Sequence, residues 1–423
     1  MRKAADEPGR HRPRKDTASP DTTRNGRLVQ NGGTAPGSGG NGQARMSERF
    51  IGLMSGTSRD GVDAVLVEVG PGNTLAVTAH CQVPYPDAVA DELAAAASAE
   101  TMRVADLGYL DARVGDVFAR AAQALLEQTG LTPAAIRAIG SHGQTIHHSP
   151  NSDPAFTWQI GDPFRIAEAT GIDTVAHFRQ RDIAAGGEGA PLACAFHAAR
   201  FAHPRETRAV LNLGGIGNIT WLAPGREVTG FDCGPGNTLL DHWIGLHHGT
   251  GFDRDGDWAR SGGVSRQLLA RLAGDAFFDR APPKSTGPEY FSPEWLRARG
   301  GDMLQQLAPA DVQATLVELT VEGVRRSLEA LDGTAPDRLL VCGGGAHNRY
   351  LMERLAQTLP RTRVESTARH GIPPQQVEGA AFAWLAARTL AGATGNLPAV
   401  TGAKGARVLG CIVPGTARRD TPP

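Results

Sequence analysis

The sequence lacks any apolar run long enough to form a membrane-spanning helix, which requires roughly 20 residues. It is also poor in cysteine, and its cysteines stand singly without a C-x-x-C pair. This pattern argues against a disulfide framework or a zinc site and is typical of a protein in a reducing cytoplasm. The five positions are Cys81, Cys194, Cys233, Cys342 and Cys411.

An excess of charge of one sign is lacking as well. Forty-three Lys and Arg residues stand against 44 Asp and Glu residues, which gives a net charge of −1. A nearly neutral body argues against a nucleic-acid partner. The basic N-terminus is not followed by the apolar core of a signal peptide. We therefore expect a cytoplasmic protein with a small-molecule substrate and no membrane or nucleic-acid partner.

Residues 1–45 are rich in Gly, Pro, Asn, Thr and Arg, as in NGGTAPGSGGNGQ at 31–43. Such a composition buries too little apolar surface to offset the entropy cost of ordering, so we predict a disordered tail. Two interpretations stay open. Met46 is the native start and the tail is a translation-start artefact, or the tail is a basic arm that touches an anionic surface.

Strand and helix patterns alternate from residue 49 onward, which indicates an α/β fold. The first two predicted strands flank a glycine turn, and a similar pair flanks another glycine turn near residue 205. This hints at duplication, with lobes at about 46–205 and 206–423 and a last helix that packs back on the first lobe. The predicted strands are 50–53, 64–69, 138–141, 208–213, 218–222 and 338–341, and the predicted helices are 88–97, 104–128, 315–331 and 378–390.

Four glycine-rich turns follow or join these apolar runs, and glycine lets a backbone approach a ligand closely. The first, GTSRDGVD at 56–63, exposes backbone N–H groups and hydroxyls that suit phosphate oxygens. Asp60 and Asp63 suit Mg²⁺ bound through water. A plain hairpin turn explains the same residues equally well, because D-G is itself a strong hairpin signal. The turn is not a Walker A loop, since no G-K-[ST] follows.

The other three turns lie in the second half of the chain. NLGGIGN at 212–218 is compatible with a second phosphate loop through Gly214 and Gly215, or with a plain hairpin. FDCGPGN at 231–237 offers Asp232 as a ligand of a metal-bound water and Asn237 as a helix cap. GGGAHN at 343–348 suits adenosine.

Polar clusters between the turns supply candidate substrate groups. His142 and Gln144 in SHGQTIHH suit sugar hydroxyls or a carboxylate, whereas zinc is disfavoured because no acidic or cysteine partner has a sensible spacing. Lys284 in KSTG is either a phosphate or substrate contact or an exposed lysine. Spacing alone favours a turn role for Asp182, and Glu378 equally fits a helix-start residue.

The motifs together resemble those of the anhydro-N-acetylmuramic acid kinases, from Ile51 to about Gly415. The resemblance rests on these segments: MSGTSRDGVD (54–63), GSHGQTIHHSP (140–150), QIGDP (159–163), FRQRDIAAGGEGAPL (178–192), NLGGIGN (212–218), FDCGPGN (231–237), KSTG (284–287) and CGGGAHN (342–348). The family belongs to the sugar kinase, heat-shock ATPase and actin superfamily. The resemblance therefore implies two ribonuclease-H-like lobes with the nucleotide in the cleft between them.

The resemblance also implies a reaction and its cofactors, ATP and Mg²⁺. Water opens the 1,6-anhydro bridge at C1 while O6 takes the γ-phosphoryl group, which gives N-acetylmuramic acid 6-phosphate in cell-wall recycling. Asp182 is implied as the base and Glu378 as a second acidic group; His142, Gln144 and Lys284 are the expected sugar contacts, and Asp60 and Asp232 the expected water-mediated metal ligands. The expected ATP contacts are Gly56, Thr57, Ser58, Arg59, Asp60, Gly61, Val62, Asp63, Gly214, Gly215, Gly343, Gly344, Gly345 and Asn348.

Five positions depart from the family's usual pattern and leave the choice of sugar open: Arg59, His177, Glu188, Cys233 and Pro288. Glu188 adds negative charge near an anionic sugar. A kinase of another anhydro sugar such as levoglucosan is one alternative, and a nucleotide-dependent switch without a sugar is another. The acidic group in the RDIAAGG segment counts against a switch. The oligomeric state is open, a homodimer included.

Overall fold

The computed structural model describes residues 47–56, 59–71, 74–282, 284–287, 289–331 and 335–417. The predicted tail at 1–45, the ATP-contact predictions for Thr57 and Ser58, and the departure at Pro288 lie outside these residues. Within the described part of the chain, no helix is both long and apolar enough to cross a bilayer.

Thirteen strands occur in the described residues. They are β1 Glu48–Met54, β2 Gly61–Val69, β3 Leu75–Pro84, β4 Ala138–Ser141, β5 Gln144–Ser149, β6 Phe156–Ile160, β7 Thr174–Ala176, β8 Arg208–Leu213, β9 Ile216–Leu222, β10 Thr229–Pro235, β11 Arg338–Cys342, β12 Arg363–Ser366 and β13 Cys411–Val413.

Fifteen α-helices accompany them in the same residues. They are α1 Asp87–Ser98, α2 Val104–Thr129, α3 Pro163–Thr170, α4 Phe178–Ala184, α5 Ala193–Phe201, α6 Thr238–His248, α7 Asp257–Ser261, α8 Arg266–Ala273, α9 Ala276–Asp279, α10 Pro293–Gly300, α11 Met303–Gln306, α12 Pro309–Glu329, α13 Arg349–Thr358, α14 Val377–Leu390 and α15 Pro398–Thr401.

Two large sheets share one strand arrangement. The first has the order β13-β7-β4-β1-β2-β3, and the second has the order β10-β9-β8-β11-β12. In each, three antiparallel strands form a meander, and two strands parallel to the first strand of that meander lie on its other side. Parallel neighbours need crossover connections, which helices supply here. This arrangement confirms the predicted pair of ribonuclease-H-like lobes; the boundary at residue 205 stays a prediction.

The chain returns to the first sheet after it has completed the second. Strand β13 pairs antiparallel with β7, and helix α14 lies against β1, β2 and β4. A hydrophobic cluster around α14 joins the two sheets, because it contains Phe50 and Val65 from the first and Val210 and Leu340 from the second. Helix α14 is therefore shared between the sheets.

Several predicted boundaries differ from the observed ones. Helix α12 begins at Pro309, six residues before the predicted start, because proline fits the first helical turn, where its missing N–H leaves no bond unmade. Seven strands were not predicted: β3, β5, β6, β7, β10, β12 and β13. The hairpins β1–β2 and β8–β9 are confirmed.

Glycine allows α14 to approach the first sheet at backbone distance. A Cβ atom at Gly52 would lie 1.8 Å from the carbonyl oxygen of Gly379, and one at Gly140 would lie 2.1 Å from that of Phe382. Both contacts are with backbone atoms of the helix, so no side chain can move aside. The position of α14 thus depends on these two strand glycines.

Replacing Gly52 by alanine is expected to destabilise the fold by about 1–3 kcal/mol or more, because the added methyl group forces α14 away from β1. Urea unfolding measures this loss. Gly108→Ala is the matched control, since nothing lies within 4 Å of that site in α2 and alanine there should stabilise the helix by up to about 1 kcal/mol. Equal stability of the two variants would contradict the backbone contact.

A network of partly buried ion pairs stabilises the second sheet. It lies where β8 and β11 begin, at the opposite ends of these strands from the glycine turns. Arg338 donates from Nε to Glu206 Oε2 at 3.0 Å, and Arg208 donates from Nη2 to the same oxygen at 2.6 Å. The guanidinium of Arg338, then that of Arg208, holds the pKa of Glu206 at about 2, against an ordinary value of 4.5. Ionised Glu206 therefore stabilises the folded chain.

The contribution of Glu206 should depend on pH in one direction. Because its pKa is lower in the folded state, the stabilisation is complete above about pH 4.5 and is lost as the pH falls towards about 2. Glu206→Gln should therefore lower the Tm at pH 7, and this difference should shrink between pH 4.5 and 2. A Tm difference that stays constant over that range would show that shape rather than charge matters.

Candidate functional site

A buried glutamine hydrogen-bonds at the start of the first glycine turn. Ser55 donates its hydroxyl to Gln144 Oε1 at 2.6 Å, and Gln144 Nε2 donates to the carbonyl oxygen of Gly56 at 3.2 Å. The Gln144 side chain is only 2% exposed. Gln144 therefore fixes the loop that joins β1 to β2, and its predicted contact with substrate stays a prediction.

The remaining residues of this turn divide between the core and the surface. Val62 is fully buried, and Asp63 pairs with His80, with 2.8 Å between Oδ1 and Nε2. Asp60 is exposed at the tip, and Arg59 beside it has a φ of 55°. Of the described side chains predicted to contact ATP here, that of Asp60 is exposed, and those of Arg59 and Asp63 are partly exposed.

Three glycine turns of the second lobe form one surface. The backbone N–H of Asn237 donates to the carbonyl oxygen of Gly214 at 2.8 Å, and the backbone N–H of Gly236 donates to the carbonyl oxygen of Gly215 at 2.9 Å. A Cβ at Gly345 would lie 2.6 Å from the Cβ of Leu213, so the turn at 343–348 packs on the turn at 212–218. The turns at 212–218 and 343–348 follow the neighbouring parallel strands β8 and β11, which brings the predicted phosphate and adenosine segments together.

Two asparagines in these turns have structural roles. The Asn237 side chain makes no capping bond to α6, so the cap prediction is wrong; its Nδ2 instead donates to the carbonyl of Leu213 at 2.9 Å. Asn348 caps α13 by accepting from the amide of Leu351 at 2.9 Å. Both asparagines therefore stabilise the turns against the neighbouring elements.

The carboxylate of Asp182 is completely buried. Its Oδ1 accepts from Asn396 Nδ2 at 2.7 Å and from Thr401 Oγ1 at 2.8 Å, and its Oδ2 accepts from the amide of Gly189 at 2.8 Å. A Cβ at Gly187 would lie 2.3 Å from that Oδ2. A base role for Asp182 needs this bonded arrangement to open, and it stays a prediction.

An arginine that the sequence analysis missed lies beside the predicted groups. Arg179 donates through Nε and Nη2 to Nε2 of His142, at 3.1 and 3.0 Å, and through Nη1 to the carbonyl of Gly189 at 2.8 Å. Burial lowers its pKa to about 10, which the negative charges of Glu378 and Asp182 oppose. Arg179 lies three residues before Asp182 in α4, and this helical spacing was the sequence signal that could have identified it.

His142 is a neutral acceptor in this arrangement. Burial, and then the charge of Arg179, hold its pKa well below the ordinary value. Its ring lies 4.7 Å from that of Phe382 in α14. Glu378 lies in the first turn of the same helix, and burial raises its pKa; the charge of Arg179 opposes this rise and that of Asp63 adds to it. His142, Arg179 and Glu378 thus form one cluster under the first turn.

Asp232, in the middle of β10, has a carboxylate in a different environment from that of Asp182. Its Oδ2 accepts from the amide of Thr286 at 2.9 Å and from Ser285 Oγ at 3.3 Å, and no described residue donates to its Oδ1. The side chain is half-buried. Burial raises its pKa to about 6, and the charges of Glu188 and Glu289 add to the rise.

Lys284 points into the core of the second lobe. Its ammonium donates to the carbonyls of Phe277 at 3.2 Å and Phe278 at 3.4 Å and lies 4.7 Å from the Phe277 ring centre. The side chain is 5% exposed. A substrate contact requires the group to leave this position, so that role stays a prediction.

The described departures from the family pattern fall in different surroundings. Cys233 is buried, and its sulfur packs against Gly217. His177 is exposed, precedes α4 and has a φ of 58°. Glu188 is exposed and, through its charge, acts on Asp232. Of these three residues, Glu188 is the acidic one whose charge raises the pKa of Asp232.

No group of three or more His, Cys, Asp or Glu side chains in the described residues is arranged to hold a metal ion. Mg²⁺ keeps much of its hydration in proteins and therefore needs few direct protein ligands. Asp60 and Asp232 stay predictions as ligands that reach the metal through water.

The family model for anhydro-N-acetylmuramic acid kinase matches residues 48–415. The chain is 52% identical over 371 residues to an anhydro-N-acetylmuramic acid kinase of Xanthomonas axonopodis pv. citri, covering 87% of this chain and 98% of the relative. It is 49% identical over 368 residues to an anhydro-N-acetylmuramic acid kinase of Pseudomonas paraeruginosa, covering 86% and 99%.

Among solved structures, the chain is similar to the activator of the 2-hydroxyisocaproyl-CoA dehydratase from Clostridium difficile with bound ADPNP, at 14% identity and a TM-score of 0.43, covering 80% of this chain and 93% of that one. The paired sheets with glycine turns at matching edges place the chain in the class of proteins with the two-lobed, actin-like ATPase fold. Within this class, the chain belongs to the anhydro-N-acetylmuramic acid kinase family, and it is a kinase.

Gln144→Ala should loosen the first turn and raise the KM for ATP by about tenfold, because the lost bonds to a buried group are worth roughly 1–3 kcal/mol. Steady-state kinetics of ADP release measure this. Gln123→Ala is the control, since Gln123 makes a comparable bond to the Ala169 carbonyl on the outer face of α2. If the two variants have the same KM for ATP, Gln144 does not organise the nucleotide turn.

Proposed function

We propose that the protein is an ATP-dependent kinase that opens 1,6-anhydro-N-acetylmuramic acid and phosphorylates O6. Family membership supports the substrate and the reaction. The observation that carries the proposal is the half-buried carboxylate of Asp232, which lies beside the joined glycine turns and within electrostatic reach of Glu188 from the first lobe. A cytoplasmic location, where ATP and recycled cell-wall sugars are available, goes with this activity.

The reaction forms two bonds, one between C1 and the oxygen of water and one between O6 and the γ-phosphorus of ATP. The oxygen of water attacks C1, and the bond between C1 and O6 breaks. O6 attacks the γ-phosphorus of ATP, and ADP leaves as the bond between the γ-phosphorus and the β,γ-bridging oxygen breaks. The attacking water loses a proton to a base, and the product is N-acetylmuramic acid 6-phosphate. Two acceptors are therefore needed, one for the proton and one for the phosphoryl group.

We assign the proton to Asp232 rather than to Asp182. With a pKa of about 6, Asp232 is largely ionised at pH 7 yet basic enough to take a proton efficiently. Its Oδ1 accepts no bond from the described residues, whereas both oxygens of Asp182 already accept strong bonds. Asp182 remains the competing candidate, and Glu378 is proposed to orient the sugar-side groups through Arg179.

The glycine turns suit the nucleotide. We propose that Gly56 and Asp60 with the rest of the first turn, and Gly214 with Gly215, surround the phosphates, where backbone N–H groups and approach without side chains are required. The turn Gly343–Gly345 at the end of β11 is proposed to contact adenosine, with Asn348 fixing its far side. Closure of the lobes excludes bulk water and limits futile ATP hydrolysis.

Mg²⁺ is proposed to be carried in with the ATP phosphates. The exposed carboxylate of Asp60 fits a ligand that reaches the metal through water, because hard cations prefer oxygen donors. When bound, the ion neutralises the phosphate charge that grows during transfer. We place Asp232 beside the sugar. Its role as the base is therefore favoured over its role as a ligand that reaches the metal through water.

ADP release with Mg-ATP tests the proposal, comparing 1,6-anhydro-N-acetylmuramic acid, levoglucosan and no sugar. Turnover that requires the muramic sugar supports the kinase proposed here. Turnover with levoglucosan alone would replace the substrate, in keeping with the departure at Glu188. Equal rates in all three reactions would instead indicate a nucleotide-dependent switch.

Asp232→Asn should lower kcat by about 100- to 10,000-fold, the range that a positioned general base supplies, while ATP affinity changes little. Single-turnover kinetics with labelled ATP separate these effects. Asp116→Asn is the control, since Asp116 pairs with Arg165 on the outer surface of the first lobe. Full activity of Asp232→Asn would remove this residue from the mechanism and leave Asp182 as the base candidate.

A further inference from the structure

The C-terminal strap, residues 396–407, lies directly on the turn that follows α4. The amide of Glu188 donates to the carbonyl of Thr401 at 2.7 Å, and the amide of Lys404 donates to that of Ala185 at 2.9 Å. The strap is itself closed by the amide of Arg407, which donates to Asn396 Oδ1 at 2.6 Å. Two backbone bonds therefore fix the turn at 185–189 to the strap.

Side chains of the strap also reach the buried carboxylate of Asp182. Asn396 and Thr401 both donate to its Oδ1, at 2.7 and 2.8 Å. Each of the three side chains is at most 4% exposed, so none exchanges its partner with water freely. A buried carboxylate that lost a donor would be left undersatisfied, which makes the arrangement costly to disturb.

The other oxygen of Asp182 transmits this constraint towards the site. Oδ2 accepts from the amide of Gly189, whose carbonyl in turn accepts from Nη1 of Arg179. Arg179 completes its bonding through His142 and lies within electrostatic reach of Glu378. A continuous series of hydrogen bonds thus runs from the strap to the cation of the candidate sugar site.

We propose that Asn396 and Thr401 are positioning residues for the sugar site, acting through Asp182 to fix Gly189, the backbone of Glu188 and the guanidinium of Arg179. This inference rests on the proposed function for its kinetic consequence. It also gives Asp182 a role that does not require its enclosed carboxylate to meet a water molecule. The strap, remote in sequence from every glycine turn, becomes part of the site.

The decisive variant is Thr401→Val, which keeps the shape of the side chain and removes the hydroxyl. It should raise the KM for the sugar by about tenfold while the KM for ATP changes less than about twofold, because one bond to a buried charge is lost on the sugar side alone. Thr401→Ser, which restores the hydroxyl, should recover the wild-type KM. Asn396→Ala should repeat the effect of Thr401→Val.

Thr389→Val is the matched control. Thr389 is a buried threonine in α14 whose hydroxyl donates to the carbonyls of Leu385 at 2.8 Å and Leu409 at 2.7 Å, without touching Asp182. It should lower the Tm to a similar extent and leave the sugar KM unchanged. If Thr401→Val also changes only the Tm, the residue is merely structural and the inference fails.

Hydrogen exchange at the Gly189 amide tests the same series of bonds without any substrate. Thr401→Val should speed exchange at Gly189 by about tenfold relative to wild type and to Thr389→Val. Unchanged exchange at Gly189 would overturn the inference, whatever the kinetics. Wild-type protein that shows no sugar-dependent turnover would overturn the proposed function instead, and the exchange result would still decide whether the strap fixes the turn.

Discussion

The structure depends on the contact between α14 and the first sheet at backbone distance. Gly52 in β1 and Gly140 in β4 lie against the carbonyls of Gly379 and Phe382, and a side chain at either position would push the helix away. Glu378 lies in the first turn of the same helix, so the close packing of α14 also sets this acidic group within electrostatic reach of Arg179. Close packing in the core thereby determines where the carboxyl group of Glu378 lies in the candidate site.

The carboxylates of the site differ in environment, and that difference decides what each can do. Asp182 is enclosed by donors and acts on its neighbours through fixed bonds. Asp232 is half-buried, accepts on one oxygen and has its pKa raised to about 6. Both residues stand near glycine turns in the sequence, so only the surrounding donors distinguish an enclosed carboxylate from one available to take a proton.

Much of the architecture was predictable because local patterns determine it. The hairpins at β1–β2 and β8–β9 combine apolar runs with glycine turns, and helix periodicity located α2 and α14 within one residue at each end. Short strands such as β13 were missed because three residues carry no period, and pairing with β7 alone makes them strands. Helix α12 began early because proline marks a helix start as well as a break.

Within the site, the sequence could indicate residue types but not partners. It directed attention to Gln144 and Lys284, which the structure shows bonded to the Gly56 carbonyl and to core carbonyls respectively. It missed Arg179, Asn396 and Thr401, because their bonds to His142 and Asp182 join segments 37 to 219 residues apart. Such contacts depend on tertiary folding, which no local pattern reports.

The reaction in water labelled with oxygen-18 shows whether water attacks C1 of the sugar or the γ-phosphorus of ATP. If water attacks C1, ATP consumption yields sugar 6-phosphate whose bridging O6 is unlabelled, because O6 comes from the anhydro bridge, and inorganic phosphate stays unlabelled. Phosphorus NMR and mass spectrometry of the products measure both. Labelled inorganic phosphate formed without sugar phosphate would mean that water attacks ATP rather than C1, and the protein would then not be a kinase that opens the anhydro bridge.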